Sequence, residues 1–348
     1  MFGQGLNFGG LAVPAVPQPL SVDYLLVAGG GGASGDGQAG GGGAGGLRTS
    51  YPNTSTLNGH TESSLSLSTL VNYNVTIGAG GAGAVYDTTT VGSNSKFGII
   101  GSEIISTGGG CGLYGYNTPA TKNNGGSGGG ATNNSGTAAY FGSAVTTPVT
   151  QGYDGANFGT TNPPVAVGGG GANGTGLQGG NGYMTSTAGA GGPGLTVNIL
   201  NDSNATTANV GQVSSGNVYY AGGGGGAGRL TYSTEIHNGG AGGIGGGASG
   251  GRTQRFGQYP RYPYSQDGGS GRVNSGGGAG GGGFSIESQG GGPTRTGGNG
   301  GSGVLIVRYP SQFNINETTS NLLTFQTFTE GNDKVTVFTE GEGTIQFS

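Results

Sequence analysis

The chain has 348 residues and 91 of them are glycine, where an average protein would hold ~7%. Charged residues are only 7%, apolar residues 31%, and tryptophan is absent, so there is too little Leu, Ile, Val and Phe for two ordinary cores. Interior glycines at ~1 kcal/mol each nearly exclude a helical protein, glycine in runs with only 13 prolines excludes collagen, and the net charge of −4 hides a basic segment of about +4 over 229–308, between two acidic ones, that is too weak a field for general nucleic-acid binding.

Residues 1–21, with Pro14, Pro17 and Pro19, read as an extended arm and a possible attachment segment. Val22-Asp23-Tyr24-Leu25-Leu26-Val27-Ala28 then reads as a strand, being short, β-branched and aromatic, and it runs straight into glycine. Glycine blocks follow at 29–32, 40–46, 78–83, 108–112, 125–130, 168–176, 179–182, 189–194, 222–228, 239–251, 268–271, 276–283, 290–292 and 297–303. Tyr73-Asn74-Val75-Thr76-Ile77 and Asn217-Val218-Tyr219-Tyr220-Ala221 are strand-like leads into two of them, and Val304-Leu305-Ile306-Val307-Arg308-Tyr309 follows the last. Residues 310–348 predict a small β module: a meander of three strands around 322–328, 334–338 and 344–347.

The blocks admit two readings. Glycine-rich chain is commonly a flexible linker. The alternative is a bundle of polyglycine-II helices, extended rods with three residues per turn whose outward amides bond to neighbouring rods, because no Cβ holds the backbones apart. Ordering a glycine backbone costs ~1–2 kcal/mol per residue and a hydrogen bond returns ~0.5–1.5, so such a bundle needs nearly every amide paired and its ends anchored. Apolar strands at the mouths of the blocks supply anchors and are not expected in a linker, which favours the bundle. The fold class expected is therefore all-β and irregular: residues 22–309 form a polyglycine-II bundle with short flanking strands and almost no α-helix. At ~3.1 Å per residue, a seven-residue block spans roughly 22 Å and the thirteen residues 239–251 roughly 40 Å. Chemical variety is then concentrated in the loops.

Few residues point to catalysis. Gly30 to Gly35 fit G-x-G-x-x-G, but glycine continues to Gly46 where a nucleotide site needs a helix. His60 and His237 are the only histidines, neither at metal-ligand spacing, and read as loop residues. Cys111 is the only cysteine, so no disulfide forms within the chain. No enzyme activity, cofactor, metal, catalytic residue, nucleic-acid partner or membrane insertion is expected. The first basic residue is Arg48, which argues against a secretory signal.

One segment stands out. Between residues 252 and 264, Arg252, Arg255 and Arg261 alternate with Phe256, Tyr259, Tyr262 and Tyr264. Arginine and tyrosine anchor recognition surfaces at low entropy cost, so this loop is the leading binding candidate. The other reading is that these rings cover the end of the bundle. Tyr114, Tyr116, Tyr140, Phe141, Tyr153 and Phe158 are weaker candidates, for which packing competes with binding. Tyr24, Tyr73, Tyr219 and Tyr309 read as structural.

The opening strand with its four glycines, the Gly40–Arg48 stretch, Tyr219-Tyr220-Ala221 before five glycines, and the closing 301–309 resemble glycine-rich tail-fibre proteins of tailed bacteriophages. Lys334–Phe347 also resembles ends in that group. The resemblance implies a polyglycine-II bundle whose distal loops bind the host, as in the long-fibre tip adhesins of T-even-like phages. The partners it implies are a bacterial surface receptor, either outer-membrane protein or glycan, and other virion proteins, with an oligomer possible. It implies a virion location, reached by assembly in the cytoplasm and release by lysis. Segments 252–267, 113–124, 131–165 and 229–238 correspond to receptor-reading loops. Residues 1–21 do not match the adhesin's attachment domain. The alternative is a structural fibre or decoration protein without receptor specificity.

Overall fold

A computed structural model describes residues 15–35, 39–52, 62–86, 88–114, 120–131, 141–157, 166–179, 187–228, 236–254, 265–283, 295–319 and 322–348. In chain order the strands are β1 (Pro19–Val27), β2 (Leu47–Thr49), β3 (Leu65–Ser68), β4 (Asn72–Thr76), β5 (Ser95–Gly98), β6 (Ile104–Ser106), β7 (Leu195–Thr196), β8 (Gln212–Ser214), β9 (Asn217–Tyr220), β10 (Ile236–His237), β11 (Thr253–Gln254), β12 (Val304–Pro310), β13 (Ile315–Glu317), β14 (Thr324–Glu330), β15 (Asp333–Glu340) and β16 (Glu342–Phe347). The α-helix α1 (Asp202–Thr207) is a short turn capped by the Asn201 side chain, which accepts from the Asn204 amide at 2.8 Å. The chain is thus nearly all β.

The longest apolar runs become the central strands. β1 and β12 pair antiparallel, Tyr24 opposite Val307 and Leu26 opposite Leu305, within a sheet ordered β14-β15-β12-β1-β2. Where they pair, Tyr24 to Val27 and Val304 to Val307 are buried on both faces, which is why these stretches read as continuous apolar runs, whereas the start of β1 alternates exposed and buried residues. Leu25, Val27, Val304 and Ile306 face a core with Val218 and Tyr220 of β9 and with Val197, Ile199, Leu200 and Val210 from the segments that join α1 to the small β7-β9-β8 sheet. Tyr24, Leu26, Leu305 and Val307 face the opposite core with Tyr73, Val75, Phe97, Ile345 and Phe347, contributed by the sheet β13-β16-β4-β5-β6. The result is a three-layer platform. Tyr24, Tyr73 and Tyr309 are buried in it as expected, whereas in β9 the buried ring is Tyr220 and Tyr219 is half-buried.

The tail forms its three strands and divides them between two sheets. β14 and β15 make a hairpin, and β15 also pairs with β12. After Gly341, at φ +103, the chain crosses over and β16 pairs with β4 and β13.

The glycine tracts leave the strands as extended rods, and their hydrogen bonds repeat every three residues. In rod 39–46, Gly40, Gly43 and Gly46 donate to Leu113, Gly110 and Thr107 on one neighbour. Gly41 and Ala44 donate to Val167 and Gly170 on a second, and Gly42 and Gly45 to Ala279 and Gly276 on a third. The carbonyls of this rod accept from three more: from Ala28 and Gly31, from Ser127 and Gly130, and from Gly224 and Ala227. One rod is therefore ringed by six others, all N···O distances lying between 2.8 and 3.2 Å. Rod 222–228 repeats the rule, donating in turn to Gly245, Gly192 and Gly42, then to Ala248, Gly189 and Ala39. This is the threefold register of a polyproline-II backbone made of glycine.

Glycine is required by proximity. A Cβ on Gly42 would collide with the Gly31 carbonyl oxygen, and one on Gly31 with that of Gly110. Outer rods relax the rule. In Thr296-Gly-Gly-Asn299-Gly-Gly-Ser302, every third residue carries a side chain, and Thr296 and Asn299 are exposed. The Asn299 Oδ1 also accepts from the Gly83 amide at 2.8 Å, replacing a missing neighbour rod.

Two blocks depart from the single-rod expectation. The tract 239–251 is not one long rod: it reverses at Ile244–Gly246, with Gly245 and Gly246 at φ +102 and +97, and its halves bond to each other through Gly247 to Gly243 and Gly250 to Gly240. Tract 168–176 likewise turns at Ala172–Asn173, pairing Gly171 with Gly174. A lone extended rod of double length would project beyond its neighbours with unpaired amides, so each folds back.

Candidate functional site: the crown of the bundle

Among the described residues, rods that continue a strand, such as 28–35, 39–46, 107–113, 222–228 and 296–303, are fixed to the platform at that end. At the other end, neighbouring hydrogen bonds bring together Gly35, Ala39, Leu113, Gly130, Ala166, Ala188, Gly228, Gly251, Gln266, Gly283 and Thr296. This end is the crown. Rod ends on this side flank segments 36–38, 132–140, 158–165, 180–186, 229–235, 255–264 and 284–294, and segment 115–119 lies between the rod end at Tyr114 and a short 3-10 helix, Ala120–Asn123.

The structure places the predicted binding residues unevenly. Arg255, Phe256, Tyr259, Arg261, Tyr262 and Tyr264 lie outside the described residues, as do Tyr116, Tyr140, Phe158 and His60. Arg252 is described and half-buried at the crown, and its carbonyl accepts from the Gln266 amide at 3.1 Å. Tyr114 is half-buried directly after Leu113, at the crown end of rod 107–113. Phe141 is half-buried beside Gly142, whose amide bonds to Gly129 in the crown half of its rod. Tyr153 sits apart from these: its amide bonds to Gly171, next to the platform-side turn, so it belongs to the flank of the bundle. Its distance from the crown comes from the rod 151–157 starting at the platform, where Gln151 accepts from Leu47.

The root of the leading loop is rigid. β10 and β11 pair Ile236 with Gln254 and His237 with Thr253. The Thr253 hydroxyl donates to the Gly228 carbonyl at 2.6 Å, and the Gly228 amide donates to Gly251 at 2.9 Å. Segments 229–235 and 255–264 thus spring from one clamp. His237 is buried in this clamp, not carried on a loop as its surroundings in sequence had indicated, because β10 pairs it against Thr253. Tyr86, 53% exposed, is a further crown aromatic, placed by the Ser34 hydroxyl donating to its carbonyl at 3.2 Å. A tyrosine directly behind the block 78–83 was the signal for it, and sequence reasoning missed it.

Among the described residues, the crown carries the aromatic side chains of Tyr86, Tyr114 and Phe141 and the basic side chain of Arg252. Among the described residues, no three of His, Cys, Asp and Glu group together in a metal-binding arrangement. Cys111 is buried in a rod, and burial pushes its thiol up to about 11, with the Thr89 hydrogen bond pulling weakly the other way. A hollow lined by Val16, Leu70 and Phe313 lies on the platform, at the end away from the crown.

No helix among the described residues is long and apolar enough to cross a membrane. No curated protein and no solved structure matches the chain. A family model described as a glycine-rich domain matches residues 9–310, which takes in all the rods and the central strand pair. The chain belongs to this glycine-rich domain family.

Proposed function

We propose that the chain is a tail-fibre or adhesin protein of a tailed bacteriophage, binding a bacterial outer-membrane protein or glycan through segments carried at the crown. The observation that supports this most is the separation of labour in the fold. Bare glycine rods hold their ends in a fixed array, and the arginine- and tyrosine-rich segment after Thr253 springs from a hydrogen-bonded clamp in that array. The resemblance of the opening and closing strands to phage tail-fibre proteins points the same way. Such an arrangement presents large amphipathic side chains from a rigid base, which lowers the entropy lost on binding.

The test is a binding assay with fluorescently labelled, purified chain on a panel of bacterial strains. Binding to a subset of strains is expected. Replacing 255–264 with a Gly/Ser segment of equal length should abolish that binding and leave thermal unfolding unchanged. Unaltered strain preference after the exchange rejects this loop as the reader. A chain that enters virions yet binds no strain favours the structural alternative.

A further inference from the structure

Among the described residues, the platform leaves one long sheet edge open. β14, Thr324-Phe-Gln-Thr-Phe-Thr-Glu330, is the outermost strand beside β15 and has seven residues. The other outermost strands of the platform, β2, β3, β6, β7, β8 and β13, have two to four residues each. Short strands are one way to blunt an edge, and proline, lysine or a bulge in mid-strand are others. β14 has no proline, glycine or lysine, and its irregularity sits at its first residue. Thr324 to Thr327 are exposed, Phe325 to 37%, and Leu322 just before them to 59%.

The outward peptide groups follow from the hairpin. Its two-residue loop, Gly331-Asn332, makes Glu330 and Asp333 the hydrogen-bonded closing pair. Alternation along an antiparallel ladder then turns the amides and carbonyls of Phe325, Thr327 and Thr329 away from β15. Among the described residues, no hydrogen bond outside the ladder engages them.

We infer that β14 is a dimerisation edge that pairs antiparallel with β14 of a second copy of this chain about a two-fold axis at Thr327. In that register Phe325 faces Thr329 of the partner, Thr327 faces itself, and Glu330 faces Thr324, so no like charges are opposed. Six further backbone hydrogen bonds would close the edge. Glu330 is already held by Arg308 at 3.1 Å and by the Asn204 side chain at 2.8 Å, so it is not left to repel its counterpart. β14 runs parallel to β12, which prolongs a rod, so the two-fold axis sends the crowns to opposite ends and leaves both unobstructed.

The experiment is sedimentation equilibrium of the full chain over a range of concentrations, with two variants. Thr327→Pro removes an outward amide that the β15 ladder does not use, and Thr327→Lys opposes two ammonium groups across the axis. A concentration-dependent dimer for the native chain, and monomer mass for both variants with unchanged thermal unfolding in at least one, is expected. A native chain that stays monomeric at every concentration it reaches, a dimer that survives both substitutions, or assemblies that grow beyond two chains would each overturn the inference.

Discussion

Gly42 donates its amide to the Ala279 carbonyl at 2.8 Å, joining an early glycine tract to a late one through backbone alone. An amide in a solvated linker exchanges its hydrogen freely, whereas one inside a packed lattice exchanges only when the lattice opens. Amides of Gly42, Gly43 and Gly224 should therefore be as protected as those of β1 and β12. Hydrogen exchange read residue by residue checks this, and rapid exchange across rod 39–46 would refute the bundle.

Substitutions of glycine should separate into two classes. Gly42→Ala places a methyl group against the Gly31 carbonyl and should cost about 3 kcal/mol, as overpacking of a rigid interior does. Gly331→Ala has open space around it and pays only for its φ of +66, about 1 kcal/mol. Denaturant titration of both variants orders them. Equal losses would mean that close backbone approach is not what demands glycine in the rods.

Tyr220 carries its phenol into the core beside Leu195 and Val218, and its hydroxyl has no hydrogen-bond partner among the described residues. Burial drives this phenol far above the ordinary tyrosine range, so it stays neutral at any pH the fold survives. Tyr220→Phe removes an unsatisfied polar atom and should stabilise the chain by about 1 kcal/mol. A destabilised variant would reveal a partner for the hydroxyl.

Cys111 should be chemically silent. With its thiol raised to about 11, the thiolate is scarce at pH 8, and the residue is fully buried. Iodoacetamide should leave the folded protein unmodified by mass and label one site after denaturation. Labelling of native protein at the rate of a free thiol would show that rod 107–113 opens readily.

Much of the platform was legible from residue order because its signals are local. Val22–Ala28 and Val304–Tyr309 announce themselves by β-branching and length, and they become the central pair. The three tail strands were equally plain. Their partners were not, since the choice of β15 for β12 and of β16 for β4 depends on contacts far apart in the chain. The short strands β7, β10 and β11 have two residues each, below what any periodicity can signal. The reversals at Ala172 and Gly245 were hidden for another reason: glycine permits rod and turn alike, so composition does not mark where one becomes the other. In retrospect, spacing distinguishes inner from outer rods. Uninterrupted glycine marks a rod ringed by others, and Gly-Gly-X, as at Thr296, Asn299 and Ser302, marks one with a free flank.

The pairing of β1 with β12 also governs when the protein can fold. β1 is synthesised well before its central partner β12, although its other partners, β2 and β3, follow it closely. At ~5–20 residues per second, Leu25 and Leu26 wait on the order of tens of seconds for Leu305 and Ile306. The sheet around β1 therefore closes on its β12 side only after β12 has been made. During that interval the edge of β1 that β12 covers in the folded protein is open to other chains.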